Sequence, residues 1–150
     1  MRANIQRVKQ ASVYIREKEI SKINQGLLVF IGVCSQDIQE DVLWLSNKIC
    51  SMRIFSDTQG KMNRSLVEAS GDILLISQFT LYAKTKKGNR PSYLNSAPPE
   101  FAEPMYEAFK LALQQILCKE VFTGAFGQDM QVFLCNDGPV TINIDSKIRD

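Results

Sequence analysis

Two short polar stretches, far apart in the sequence, contain residue types that could carry out chemistry. The first is Ser77-Gln78-Phe79-Thr80, near the end of the most apolar run of the chain, residues 73–81. Its two hydroxyls, its amide and the free backbone donors of a strand end could stabilise a developing oxyanion. The alternative is a strand end whose polar side chains only bond to their neighbours, and composition alone favours that alternative.

The second stretch is Asn136-Asp137-Gly138-Pro139-Val140-Thr141. Asp-Gly favours a hairpin turn, whereas Pro139 removes a backbone donor that a returning strand would use. A cis Gly138-Pro139 bond, the rarer isomer, would expose the flanking carbonyl oxygens as acceptors for an ammonium group. The residues alone leave both a simple turn and a binding loop open.

The composition limits what kind of active site is possible. The chain has no histidine, which excludes a Ser-His-Asp or Cys-His arrangement and zinc bound by imidazole. The four cysteines form no Cys-x-x-Cys pair, and no glycine-rich phosphate loop is present, so we expect neither metal nor cofactor. An enzyme of this sequence must work through carboxylates, backbone dipoles, hydroxyls or groups of its substrate.

Length and charge indicate an ordinary globular protein. We predict that residues 1–150 form a single domain, because this length can bury a core. We expect a cytoplasmic location with reduced cysteines, because the sequence has no signal-peptide pattern and no apolar run of about 20 residues. The net charge of +2 says little, but Lys84, Lys86, Lys87 and Arg90 cluster after Thr80. Such a cluster could bind phosphates, although charge alone favours a solvated loop.

The elements that must position the two stretches follow from the pattern of apolar residues. The predicted order is strands, helix, strands, helix, strands, which indicates an α+β domain with a largely antiparallel sheet and helices on one side. Asp37 is predicted to cap the first helix, with Glu40 completing a capping box. The second helix is predicted over residues 100–117. Strands over residues 130–135 and 140–144 flank the second stretch, and the tail from residue 147 is expected to be frayed.

The whole chain resembles the D-aminoacyl-tRNA deacylases of the D-tyrosyl-tRNA deacylase type. Its Ser-Gln-x-Thr and Asn-x-Gly-Pro-x-Thr motifs are jointly specific. Ser77 favours the D-amino-acid class over a related animal class, which has proline at that position. The resemblance also rests on Gln6-Arg7-Val8, Gly26-Leu27-Leu28-Val29, Arg53-Ile54-Phe55-Ser56-Asp57, Gly60-Lys61-Met62-Asn63, Arg90-Pro91-Ser92 and Asp129-Met130-Gln131-Val132.

The resemblance implies a barrel-like α+β fold with two main helices and hydrolysis of the ester that joins a D-amino acid, or glycine, to tRNA. It implies a homodimer without a cofactor, whose sites lie at the subunit interface. Ser77, Gln78, Phe79 and Thr80 would be the catalytic segment of one chain.

The resemblance assigns the chiral selection to the second stretch. Gly138 and cis Pro139 of the other chain, together with Asn136 and Thr141, would receive the substrate's α-ammonium at the 3′ acceptor end of tRNA. Arg7 resembles the residue that supports this loop from the facing chain. An L side chain would collide with the Gly-Pro backbone, whereas a D side chain would point outward and glycine would pass.

The identity of the attacking group stays open between two alternatives. Thr80 is the nucleophile in one proposal for the family, but a threonine hydroxyl needs a base and the sequence supplies no obvious one. We therefore favour attack by water, assisted by the neighbouring ribose hydroxyl. Two further hypotheses are a nucleic-acid-binding dimer without catalysis and a structural interaction protein, although neither would need both motifs.

Overall fold

The computed structural model describes residues 1–149, which form a curved sheet and two helices. In chain order the elements are β1 (Arg2–Ile15), β2 (Lys18–Ile23), β3 (Gly26–Gly32), α1 (Gln39–Ser51), β4 (Phe55–Ser56), β5 (Met62–Arg64), β6 (Asp72–Ser77), a 3₁₀ turn (Phe79–Tyr82), α2 (Pro99–Leu117), β7 (Phe122–Thr123) and β8 (Gln131–Asp145). None of the helices in this range is both long and apolar enough to cross a membrane.

The main sheet has the strand order β2-β1-β3-β6-β7, and β8 also pairs with β1. β1 is antiparallel to β2, β3 and β8, whereas β3, β6 and β7 run parallel. The parallel pairs arise because helical crossovers, through α1 and then α2, connect these strands. Ser21 Oγ donates to the Thr123 carbonyl at 2.5 Å and joins β2 to β7, so the sheet curls into a nearly closed barrel. The predicted α+β, barrel-like class is confirmed.

The two faces of the sheet bury two separate apolar clusters. Both helices pack on one face, where Leu45 of α1 and Phe109 of α2 meet Val29 and Leu75. The other face lines the barrel interior and includes Leu28 and Leu74. β3 and β6 are therefore buried on both faces, which explains their continuous apolar runs.

The start of α1 differs from the prediction. The Ile38 N–H donates to Asp41 Oδ2 at 2.9 Å, so Asp41, and not Glu40, reaches back to the helix start. Asp37 instead accepts from the Met1 amino nitrogen at 2.5 Å and from the Cys34 N–H at 2.8 Å. The predicted cap and capping box were wrong because this buried ion pair holds the Asp37 carboxylate in the interior.

The C-terminal tail is docked onto α1. Lys147 Nζ lies 2.5 Å from the Asp41 carboxylate, and Arg149 lies 3.0 Å from that of Glu40. The predicted fraying was wrong for residues 147–149, because acidic residues in the first turn of α1 bind these cations. Asp150 lies outside the described residues.

The region around Gly138 is one long strand. β8 pairs with β1 on both sides of Gly138-Pro139, and the register shifts opposite residues 6–10 of β1. The two strands predicted around a turn are thus parts of β8, and the hairpin alternative was wrong. Within residues 1–149, β8 pairs with β1 alone, so its other edge is open.

Candidate active site

A cavity of about 740 Å³ lies at the carboxyl end of β6. Ser77, Gln78 and Phe79 form its polar wall, and apolar residues such as Phe30 and Val132 form much of the rest. This volume and mixture suit a small organic group with a few polar contacts. A second cavity, of about 800 Å³, lies between α1 and β8 and contains no residue of the Ser77–Thr80 segment.

The chain leaves β6 at Ser77 and turns immediately at the cavity. The Gln78 N–H still donates to the Ile31 carbonyl at 2.8 Å, and the 3₁₀ turn then begins at Phe79. The N–H groups of Phe79 and Thr80 donate to no acceptor within residues 1–149, as expected for the first residues of a helical turn. One free backbone donor, the Phe79 N–H, therefore belongs to a residue that lines the cavity, and the second, the Thr80 N–H, follows one residue later.

Gly32 permits the close approach of this turn to β3. A Cβ atom at Gly32 would lie 3.0 Å from the Gln78 carbonyl oxygen and 3.2 Å from Leu81 Cβ. No local pattern around Gly32 indicates this role, because the close approach involves a segment more than 40 residues away. Gly32 is thus a positioning residue that the sequence patterns did not reveal.

Arg2 supports the turn from its other end. Its Nη1 donates to the Leu81 carbonyl at 3.1 Å, and its guanidinium carbon lies 4.5 Å from the centroid of the Tyr82 ring. Burial raises the pKa of Tyr82, and this hydroxyl has no hydrogen-bond partner within residues 1–149. Tyr82 therefore stays neutral and acts by packing.

Thr80 is half-buried and does not line the cavity. The Gln78 side-chain amide donates to Thr80 Oγ1 at 2.5 Å. No ionisable side chain in the described part of the chain hydrogen-bonds to Thr80, and the one carboxylate that borders the cavity belongs to the exposed Asp129. This geometry suits Thr80 for orienting Gln78.

The residues predicted to select the substrate lie on β8 and β1, away from the cavity. Gly138 has φ +127° and its bond to Pro139 is cis. Asn136, Gly138, Pro139 and Thr141 are all exposed to solvent. The second motif is therefore an exposed backbone segment on the open edge strand.

Arg7 holds this segment from within the same chain. Its buried side chain donates through Nε to the Asp137 carbonyl at 2.9 Å and through Nη1 to the Ile54 carbonyl. The Asp137 carboxylate lies 3.5 Å from Nε and balances the charge. In the single chain this contact joins neighbouring strands, and support of the loop across to a facing chain stays a prediction.

The two motifs do not meet within one chain. Gly138 and Pro139 lie level with Arg7, which pairs with Leu27, and Leu27 pairs with Ile73 of β6. Three strand spacings and four residues along β6 then separate them from Ser77, on the order of 20 Å. A site that uses both motifs must therefore draw them from two copies of the chain.

The described residues contain no group of three or more cysteine, aspartate and glutamate side chains that could hold a metal ion. The polar groups of the cavity next to β6 are backbone donors, an amide and hydroxyls. Such donors suit a reaction in which negative charge develops on an oxygen, as in the attack of water on an ester.

Comparisons with known proteins agree with this chemistry. Residues 4–145 match the family model described as D-Tyr-tRNA(Tyr) deacylase. A D-aminoacyl-tRNA deacylase of Cytophaga hutchinsonii is 59% identical over 147 residues, 98% of each chain. One of Flavobacterium johnsoniae is 53% identical over 150 residues, the whole of each chain.

Two solved structures share the fold. A c-Myc DNA unwinding element binding protein is 37% identical with a TM-score of 0.91, covering 97% of this chain and 98% of its own. A probable eukaryotic D-amino acid tRNA deacylase, 17% identical, has a TM-score of 0.81 over 95% of this chain and 98% of its own, and shows likeness of fold alone. With the family model matched from β1 to the end of β8, the chain belongs to the D-Tyr-tRNA(Tyr) deacylase family.

Proposed function

We propose that the protein hydrolyses the ester bond of D-aminoacyl-tRNA, and of glycyl-tRNA, and releases the amino acid and free tRNA in the cytoplasm. The observation that carries the proposal is the pair of free N–H groups of Phe79 and Thr80, which directly follow the cavity-lining residues Ser77 and Gln78. The deacylase names of relatives at 59% and 53% identity support the same reaction.

In the proposed reaction a water molecule attacks the ester carbonyl carbon, and the carbonyl oxygen becomes an oxyanion. The N–H groups of Phe79 and Thr80, with the Gln78 amide, stabilise that charge. One donor of this kind contributes about 3–4 kcal/mol to transition-state stabilisation. The ribose hydroxyl next to the ester assists the water. The oxyanion then collapses, the bond between the carbonyl carbon and the 3′ oxygen breaks, and that oxygen takes up the proton that the water loses. The protein supplies positioned dipoles and no titrating base.

Thr80 acts by position in this proposal. Its hydroxyl accepts from Gln78 and does not line the cavity. Thr80→Ala should therefore reduce kcat by about 10-fold, because Gln78 loses its orientation, and Thr80→Ser, which keeps Oγ, should restore most of it. The measurement is single-turnover hydrolysis of D-Tyr-tRNA, with thermal unfolding as the control. A loss above about 1,000-fold in an intact Thr80→Ala fold would instead identify the nucleophile.

A second copy of the chain completes the site in this proposal. Gly138 and Pro139 are exposed on an open edge strand, and Phe133 of the same strand is 57% exposed. Long apolar edge strands are normally covered, and a homodimer would cover this one. Facing the partner's cavity, the Gly138-Pro139 backbone would accept the α-ammonium and exclude an L side chain by contact.

Incubation with D-Tyr-tRNA and L-Tyr-tRNA tests the proposal, and sedimentation tests the dimer. We expect rapid loss of the D ester alone, from a dimeric protein. Equal cleavage of both esters would contradict steric selection, and an active monomer would contradict the shared site.

A second candidate is nucleic-acid binding without cleavage. The 37%-identical structure is named for binding a DNA unwinding element, and cations follow Thr80 here. The same incubation separates the two candidates, because a binder without catalysis would retain both tRNAs and leave both esters intact. A purely structural interaction protein would neither bind the tRNAs nor cleave their esters.

A further inference from the structure

We propose that residues 84–92 form a phosphate-binding hairpin, named here the basic hairpin, that holds the single-stranded 3′ end of tRNA over the cavity. The inference rests on the proposed function, since it assigns how the polynucleotide part of that substrate is bound. It adds a binding surface to the cavity and to the two motifs.

The basic hairpin grows directly out of the candidate active site. The Lys84 N–H donates to the Ser92 carbonyl at 2.8 Å, and the Ser92 N–H donates to the Lys84 carbonyl at 3.0 Å. This pair closes the base of the hairpin four residues after Thr80. The seven residues between them can reach at most about 12 Å from the base. The phosphates within reach are those of the few nucleotides next to the reacting ester.

The segment that follows the hairpin forms part of the cavity rim. Tyr93 and Ser96 line the cavity, and Ser96 Oγ donates to the Phe79 carbonyl at 2.8 Å. The rings of Tyr93 and Phe79 meet edge to face with centroids 5.1 Å apart. The hairpin and the catalytic turn are therefore braced against each other, so a polynucleotide held by one is positioned relative to the other.

The charge of the segment suits a polyanion. Residues 73–99 contain four cations and no acidic residue, whereas the whole chain has a net charge of only +2. The four cations are Lys84, Lys86, Lys87 and Arg90, and all are exposed. None has a carboxylate within 4.0 Å among residues 1–149. Residues 1–16 also contain four cations and no acidic residue, but there Arg2 and Arg7 are paired with Asp145 and Asp137, whereas all four cations of the hairpin are unpaired among the described residues.

A four-fold neutral variant tests the hairpin, with Lys84→Gln, Lys86→Gln, Lys87→Gln and Arg90→Gln combined. Its kcat/KM is measured on D-Tyr-tRNA and on 3′-D-tyrosyl-adenosine, which carries the same ester without a phosphate chain. If all four cations contact phosphates, raising salt from 50 to 200 mM lowers their contribution to binding by about 50-fold. For the wild type, we expect the ratio of kcat/KM on D-Tyr-tRNA to kcat/KM on 3′-D-tyrosyl-adenosine to fall by about that factor over this rise in salt. For the variant, the same ratio should be low and nearly independent of salt.

Two matched controls sharpen the test. Replacing the three lysines by arginine keeps the charge and should keep both the ratio and its salt dependence. The Arg16→Gln, Lys18→Gln double variant removes exposed cations that alternate with Glu17 and Glu19 at the β1–β2 turn. This variant should behave as wild type. A fall in the ratio that is half as large on a logarithmic scale, as expected for two cations in place of four, would show that net charge acts from a distance and would overturn a local contact.

The outcomes also separate this inference from the proposed function. A wild-type protein that cleaves neither substrate contradicts the proposed function. A four-fold variant with the wild-type ratio and salt dependence, in an active protein, contradicts the hairpin alone and leaves it as a solvated loop. Thermal unfolding of the variant checks that its fold is intact. We expect little change in stability, because these side chains are exposed and take no part in the core.

Discussion

Gly32→Ala tests how β3 positions the candidate oxyanion donors. The new Cβ would lie 3.0 Å from the Gln78 carbonyl oxygen and 3.2 Å from Leu81 Cβ. These distances are shorter than ordinary contacts of about 3.5 Å, so the turn must move by about 0.5 Å. The Gln78 carbonyl and the Phe79 N–H belong to one planar peptide unit. A carbonyl that is pushed away therefore carries the Phe79 donor with it.

The size of the expected effect on kcat follows from the contribution of one oxyanion donor to catalysis. A complete loss of one oxyanion donor lowers kcat by about 100- to 1,000-fold, and a partial displacement should cost about 10- to 100-fold. KM should change little, because the ground-state carbonyl depends less on that donor. Overpacking should also lower the free energy of unfolding by about 1–3 kcal/mol.

Single-turnover hydrolysis of D-Tyr-tRNA and thermal unfolding measure the two effects separately. Ile49→Val provides the matched control, since Ile49 is fully buried in α1 on the helix face of the sheet. This control should lose about 1 kcal/mol of stability and keep its kcat. A Gly32→Ala variant with kcat within twofold of wild type would refute the assigned role of the turn.

Two further predictions concern β8 and the tail. Gly138 has φ +127°, and an added Cβ would lie 3.0 Å from Arg7 Nη2. Gly138→Ala should therefore lower the free energy of unfolding by about 1–3 kcal/mol and lower kcat/KM for D-Tyr-tRNA by at least about 10-fold. Unchanged values of both quantities would contradict the role of this backbone. Burial raises the pKa of Asp41, but hydrogen bonds from Lys147, the Ile38 N–H and Ser146 outweigh it and hold that pKa at about 2. Because the folded pKa lies below the unfolded one, this stabilisation is present above about pH 4 and is lost as the pH falls toward 2. Lys147→Gln should lower the free energy of unfolding by about 1 kcal/mol at pH 7 and by much less near pH 2. Denaturant titrations at the two pH values measure this difference. An equal loss of stability at both pH values would contradict a stabilising Lys147–Asp41 ion pair.

The elements with strong periodicity followed the predictions. α2 was predicted over residues 100–117 and spans Pro99–Leu117, and the strand predicted over residues 140–144 lies within β8. In these segments local propensity, apolar spacing and burial agree, so neighbours along the chain suffice to define them. The predictions failed at Asp37 and in the tail, where partners distant in sequence decide the side-chain contacts.

β8 shows why local patterns were insufficient near Gly138. Asp-Gly and Pro139 are turn-forming residues, and the prediction placed a break there. The structure keeps one strand because β1 pairs with it on both sides, and Arg7 holds the Asp137 carbonyl at the irregular point. Pairing with a strand some 130 residues earlier thus overrode the local turn signal.

The sequence by itself determined the class of chemistry and the two motifs. The lack of histidine excludes the common catalytic triads, and Ser77-Gln78-Phe79-Thr80 with Gly138-Pro139 indicates the family, because residue types and short spacings are local properties. Only the tertiary structure decided where these residues lie. It left Thr80 out of the cavity lining, and it placed Gly32 against the 3₁₀ turn and the two motifs on the order of 20 Å apart in one chain. These relations depend on strand order and register, which a linear pattern does not encode.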